Sequence, residues 1–342
     1  MSSATEAANA RVWDGARRGR YEVWYLTVNH RASGTGFWIR YTLEAPRQGV
    51  GEPYAQLWFA CFDARDPART FALNRKLPIA SMDAHTDPFA VTIGDARLEN
   101  GAASGAIEGA GHRARWDLRW DPADRVHYHL PRVMYRRGGV GDTTVLSPNL
   151  DVGIRGTIEV DGRRLELAGE RGGQTHLWGR KHAHAWAWGH CNDFEGHPGA
   201  AFETLTVRLE RRGRVLPPMT ILALYLAGEV HRFTDFRHVL LTGGEFGTGF
   251  YRFHAHGARV RLEGEYSCRP DDMVLATYHD PDGEPAYCAN SEIADMRLTV
   301  YERAGLGRWR ERAHLLAPRT GHFEVGGRTR DPAVTRDHVT LD

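Results

Sequence analysis

Residues 172–196 read "GGQTHLWGRKHAHAWAWGHCNDFEG", a stretch holding Trp178, Trp186 and Trp188, the imidazoles of His176, His182, His184 and His190, and the pair Asn192-Asp193. These side-chain types serve cation chemistry in apolar surroundings. Indole faces carry a negative quadrupole that stabilises a positive centre. Imidazole titrates near neutrality and exchanges protons. A carboxyl placed among apolar groups keeps its proton and can donate it. On a strand over 184–195, His184, Trp186, Trp188, His190, Asn192 and Phe194 share one face, and Ala185, Ala187, Gly189, Cys191, Asp193 and Glu195 share the other. The small face suits close packing on a neighbouring sheet. The bulky face suits a core or a ligand cavity, and its polar tips favour the cavity, because every buried polar tip requires a partner.

The elements that must position these groups are strands. Period-two alternation recurs in "YEVWYLTV" (21–28), "GFWIRYTL" (36–43), "AQLWFACF" (55–62), "RARWDLRW" (113–120), "GIRGTIEV" (153–160), "AFETLTVRLE" (201–210), "MTILALYLAG" (219–228) and "MRLTVYER" (296–303). Turn dipeptides such as Asn100-Gly101, Asp161-Gly162 and Asp282-Gly283 separate strands. Only 64–70 offers a turn of helix. The chain is expected to be all-β. So many antiparallel strands exceed one small barrel, whose interior fills at about eight, so two consecutive antiparallel β-barrels are expected. Residues 1–18 are read as a disordered tail, 19–190 as the first barrel and 191–342 as the second. A strand joining two barrels would line the seam, where ligand sites concentrate.

Composition removes several classes of function. Lys and Arg (44) balance Asp and Glu (43), so no overall field attracts nucleic acid. Cys61, Cys191, Cys268 and Cys288 form no CxxC pair. Three His-x-His pairs, 127/129, 182/184 and 254/256, lack any accompanying metal-ligand spacing, so no metal is expected. There is no GxSxG and no GxGxxG after a strand, hence no hydrolase elbow, no dinucleotide fingerprint and no expected cofactor. No apolar run is long enough to span a membrane and the start does not read as a signal peptide; a cytoplasmic location is expected, with peripheral membrane contact left open and oligomeric state unspecified. "GGEFGTGFYRF" (243–253) reads as a hairpin turn, "YHDPDGEPAYCANSE" (278–292) as a type I turn with solvated charges, and "RRGGVGDTTVLSPN" (136–149) as a long polar loop of the kind that acts as a lid.

The central stretch resembles the tryptophan motif of tocopherol cyclases, a W-G pair followed by W-x-W and C-N-x-F, here Trp178-Gly179, Trp186, Trp188, Cys191-Asn192 and Phe194. The preceding "VGIRGTIEVDGRRLELAGERGGQTHLWG" is similar to the region before the D-H-x-W-G box of carotenoid 1,2-hydratases, and "YEVWYLTVNHRASGTGFWIRYTL" resembles the E-x-W-Y opening of the wider lipocalin-like superfamily with its AttH-like proteins and pericyclases. The resemblance implies two lipocalin-like barrels and a cyclase- or hydratase-like lyase or isomerase of secondary metabolism. Its expected ligand is a hydrophobic isoprenoid, polyene or polyketide-type molecule bound between the barrels. A carboxylic acid would protonate an alkene, and water or a phenol would trap the cation. Thr175 stands where the hydratase box has its acid, so Glu22, Asp193 and Glu195 are the candidate donors, with His176 and His190 as alternative acid–base groups. Trp24, Trp178, Trp186, Trp188 and Asn192 are the expected substrate contacts. Two other readings stay open: a Diels–Alderase-type pericyclase that works by shape and hydrogen bonding, and a carrier that binds an apolar molecule unchanged.

Overall fold

The structure, a computed structural model, describes residues 3–135, 142–238, 240–305 and 307–341. Among the described residues, strands dominate, in two large sheets of 13 and 10 strands that are antiparallel except where Val339–Leu341 joins Phe71–Pro78. The first sheet runs from Arg20–His30 through Arg163–Gly179 and takes back Val339–Leu341, which the expected 191–342 span assigns to the second barrel; the second sheet opens with Ala185–Cys191. The sheets therefore divide at residues 180–184, a little before the expected 190/191, because the Trp-rich strand is the second sheet's first strand and not the first sheet's last.

Each sheet curls into a barrel around its own core. In the first, Trp24, Ile39, Phe59 and Leu73 meet Phe89, Leu98 and Trp116 in one cluster, which brings the two ends of the sheet together. In the second, Ala187, Phe202, Leu224, Phe253, Leu298 and Phe323 do the same. A third cluster fills the seam, where Tyr21, Val23, Tyr25, Trp38 and Trp58 of the first barrel face Trp186, Trp188, Ala276, Tyr278 and Cys288 of the second. Strand alternation sets this arrangement. In Arg20–His30 the even positions Trp24, Leu26 and Val28 point into the first barrel, and the odd positions Tyr21, Val23 and Tyr25 point into the seam. In Thr35–Ala45, buried along its whole length, Phe37, Ile39 and Tyr41 face inward and Trp38 faces the seam.

Short motifs resolve in detail. The segment 243–253 is a hairpin between Thr242–Gly247 and Phe250–His256. Residues 67–69 form one 3-10 turn. The turn after Tyr278 closes by Gly283 N–H donating to the Asp280 carbonyl, but Asp280 is buried and not solvated as its sequence suggests. Of the loop 136–149, residues 136–141 lie outside the described residues, and Thr143–Asn149 belongs to the strand Thr143–Val160.

The Ala/Ser-rich start differs from the expected disordered tail. Ala4–Asn9 is a helix whose first turn is capped by Ser3, and Thr5, Ala8 and Asn9 are buried. Its packing explains its order. The Asn9 carbonyl accepts from Trp24 Nε1 at 3.0 Å, and the Asn9 side chain bonds Gln174 at 2.9 Å, so the segment closes one mouth of the first barrel.

Candidate active site between the barrels

A cavity of about 250 Å³ opens in the seam. Its walls are mainly apolar, with Tyr25, Trp38 and Leu177 from the first barrel and Trp186, Trp188 and Ile221 from the second. Among the polar residues that border it are Arg40, His182, His129 and Glu324, with Lys181, Asp142 and Asp235 also on its lining. A mainly apolar hollow with few convergent polar groups is the usual make-up of a small-molecule site.

Glu324 lies opposite Trp188 across the ladder between Ala185–Cys191 and Trp309–Gly327. Its Oε1 accepts from Asn290 Nδ2 at 3.1 Å and its Oε2 from the Cys288 thiol at 3.6 Å. Burial pushes its carboxyl above the ordinary range, against the pull of the Arg40 guanidinium and of hydrogen bonds from Cys288, Asn290 and Trp186. His182 is stacked among aromatic rings, Tyr21 at 4.9 Å, Tyr278 at 5.3 Å and Trp186 at 5.5 Å between centroids. Its Nδ1–H donates to Asp280 Oδ1 at 2.7 Å, and Asp280 is also held by Arg328. With the proton on Nδ1, Nε2 presents a lone pair. Burial lowers the His182 pKa below the usual imidazole value although Asp280 opposes the shift, so the ring is neutral at pH 7. The site thus pairs a carboxyl inclined to hold its proton with a neutral imidazole oriented by a carboxylate.

The residues expected from sequence fall into three places. Trp186 and Trp188 line the cavity. Glu22, Trp24, His176 and Trp178 are together at the mouth of the first barrel, because Glu22 and Trp24 share the even face that points inward. There His176 stacks on Trp24 at 4.8 Å and bonds Glu22 at 3.0 Å, and the backbone N–H groups of Val12 and Trp13 donate to the two Glu22 oxygens at 2.6 and 2.8 Å. His190 and Asn192 are buried and bonded to backbone carbonyls: His190 Nε2 to that of Leu150 at 2.8 Å, and Asn192 Nδ2 donating to that of Gly172 at 2.8 Å. Asp193 sits near the surface in an ion pair with Arg31 at 2.9 Å, where Glu195 also meets Arg31. None of Glu22, His176, His190 and Asp193 borders the seam cavity.

Residues 148–327, more than half of the chain, match the family described as tocopherol cyclase-like. The chain belongs to the tocopherol cyclase-like family. Two uncharacterized proteins of Mycobacterium tuberculosis, from strains CDC 1551 / Oshkosh and H37Rv, are each 27% identical over 350 residues, covering 98% of this chain and 94% of theirs. Among solved structures, an AttH-like protein of Nitrosomonas europaea superposes with a TM-score of 0.57 at 14% identity, over 91% of this chain and 93% of its own. Kievitone hydratase of Nectria haematococca gives 0.51 at 8% identity, over 96% and 93%. These two likenesses establish the shared double-barrel fold.

Within this tocopherol cyclase-like chain, two of the cavity's polar groups that sequence reasoning missed, Arg40 and Glu324, share one signal. Arg40 in "GFWIRYTL" and Glu324 in "GHFEVGG" are charged residues in the middle of otherwise apolar or small strand positions. Such a residue either faces solvent or is buried for a reason, and the parity of the flanking indoles places both in the seam. Among the described residues no group of three or more His, Cys, Asp or Glu is placed to hold a metal ion, and no helix is long and apolar enough to cross a membrane.

Proposed function

We propose that the chain is a cyclase- or hydratase-type enzyme that closes or hydrates an alkene of a hydrophobic isoprenoid or polyene-type substrate in the seam cavity, with Glu324 as proton donor and His182 as proton acceptor. Glu324 delivers its proton to one alkene carbon, and the π pair forms the new C–H bond. The cation on the other carbon rests against the indole faces of Trp186 and Trp188. A phenol of the same substrate, or a water, adds its oxygen lone pair to that carbon, and its proton passes to His182 Nε2. Proton transfer from His182 back to Glu324 restores the site, so cyclisation is a net isomerisation and hydration consumes one water. The apolar wall keeps stray nucleophiles from the cation.

The observation that carries this reading is the convergence of the raised Glu324 carboxyl and the Asp280-oriented His182 on one aromatic-walled cavity. Family membership and the hydratase among the structural neighbours support the reaction type. The test is to incubate the protein in D₂O with a prenylated hydroquinone and, separately, with an open-chain polyene, and to analyse products by mass spectrometry. The expected product carries one carbon-bound deuterium, and Glu324→Gln abolishes it while an apolar dye still binds. Turnover by Glu324→Gln at the wild-type rate would assign the proton to another group.

A further inference from the structure

Arg40 is a buried arginine, 5% exposed, without a carboxylate partner within ion-pair distance among the described residues. Its Nε donates to Thr42 Oγ1 at 2.9 Å, and among the described residues no protein acceptor lies within hydrogen-bond reach of its two terminal nitrogens. The guanidinium sits over the Tyr278 ring at 4.2 Å, with Trp38 at 5.5 Å and Trp58 at 5.8 Å. It borders the cavity beside Glu324 and His182. Two buried carboxyls that feel its charge, Glu44 and Glu324, are pushed by burial toward the neutral form.

A desolvated cation with unused donors is costly unless something pairs with it. Ring faces supply part of the compensation, but they leave the planar N–H fork open. That fork matches two oxygens of one planar anion, which a lysine in its place would not do. The make-up of the cavity agrees: aromatic and aliphatic walls take a hydrophobic body, and of the two basic side chains on its lining Lys181 is already paired with Asp282 at 2.9 Å, which leaves the Arg40 fork for a charged end.

We infer that Arg40 is the head-group anchor of the cavity, and that the ligand is an amphipathic molecule with an apolar body and an oxyanion head, a carboxylate or an ionised enol or phenol. This rests on the cavity being the binding site, as proposed above, and adds the polarity of what it binds. Anchoring the head over Tyr278 fixes which part of the body lies against Trp186 and Glu324, so Arg40 determines which alkene is protonated.

The experiment is competitive displacement of the neutral dye N-phenyl-1-naphthylamine by dodecanoate and by dodecanol, both below their aggregation concentrations. In the wild-type protein dodecanoate is expected to displace the dye about tenfold or more better than dodecanol, the advantage of a charge-assisted bidentate contact. Arg40→Gln is expected to bind both equally, and Arg40→Lys to keep part of the preference. Equal displacement by acid and alcohol in the wild-type protein overturns the head-group inference and leaves the cavity reading standing; this comparison needs no variant to fold. A preference that survives in folded Arg40→Gln overturns the role of Arg40. A protein that binds neither the dye nor either ligand overturns the cavity reading itself.

Discussion

Trp188 donates its indole N–H to Glu203 Oε1 at 2.7 Å, and the same oxygen is bonded by His129 Nε2 at 2.7 Å. Trp188 and Glu203 stand on neighbouring strands while His129 lies far from both in the chain, so this oxygen ties the segment around His129 to the strands Ala185–Cys191 and Ala201–Arg208 of the second barrel. Trp188 also meets Tyr25 of the first barrel edge-on at 5.8 Å. It is therefore a cavity wall and a fastening at once. Trp188→Phe keeps the apolar ring and removes the donor. It is expected to cost about 1–3 kcal/mol in urea denaturation with the neutral dye still bound. Trp188→Ala opens a void as well and is expected to cost about 3–5 kcal/mol and to lose dye binding. Wild-type stability in both variants would show that the bond to Glu203 contributes nothing to folding.

A second buried contact makes the fold sensitive to acid. His190 Nδ1 and His322 Nδ1 approach to 2.9 Å, and both rings are wholly enclosed. The outer nitrogens face acceptors, His190 Nε2 the Leu150 carbonyl and His322 Nε2 the Asn29 side-chain oxygen. Asn29 is oriented by its own N–H donation to the Glu292 carbonyl. Burial depresses both imidazoles below 6.5, His322 further by its like neighbour, while the Glu203 carboxylate favours the charged form of His190 without reversing the shift. A depressed folded pKa means that the unfolded chain takes up protons first as pH falls. The stabilisation from keeping these rings neutral is thus present above pH ~6.5 and lost toward the lower folded values. Glu292, raised by burial and 3.8 Å from His322, works in the opposite sense above its unfolded pKa of 4.5. The informative quantity is a difference: between pH 7 and 5 wild-type stability should fall more steeply than that of His322→Gln, by up to about 1.4 kcal/mol per pH unit. Parallel curves would mean that His322 titrates alike in both states.

These residues also mark how far the sequence leads. Alternation identifies the strands, and the two-barrel count follows from how many there are. It also places Trp186 and Trp188 on one face and Ala187 and Cys191 on the other, which is the division between the seam and the second barrel's core. Alternation cannot say which face of a strand is the seam when both are buried. Sequence alone groups Glu22 and Trp24 with the seam indoles for that reason, whereas Tyr25, one residue on, is the one that reaches them. Pairing between distant strands is equally hidden: Glu324 lies opposite Trp188 only through the ladder, and Asp280 reads as a solvated turn acid until His182 and Arg328 are brought to it.

Asp193, a candidate acid by its position in the central motif, is expected to be dispensable. Its side chain is about one-fifth exposed and pairs with an Arg31 that is nearly half exposed, a setting in which solvent screens the charges. Asp193→Asn should change stability by no more than about 1 kcal/mol and leave turnover intact. A large loss of turnover in a stable Asp193→Asn protein would put proton transfer at the surface end of the strand.

Glu22 tests whether the first barrel holds a site of its own. Both of its oxygens are occupied, by the Val12 and Trp13 N–H groups and by contact with His176 Nε2, while His176 Nδ1 bonds the Ala8 carbonyl at 2.8 Å. The mouth is closed by the chain itself. An acid whose oxygens are held by the backbone of residues 12 and 13 and by His176 is expected to act structurally, holding the N-terminal segment on the barrel. In Glu22→Gln the amide NH₂ must face a backbone N–H that needs an acceptor. The expected result is a loss of about 1–3 kcal/mol in urea denaturation and faster proteolysis of the first dozen residues, with dye affinity in the seam unchanged. If Glu22→Gln instead keeps its stability and loses turnover, the reacting carboxyl lies under the N-terminal helix, and Glu324 reverts to a structural partner of Asn290 and Cys288.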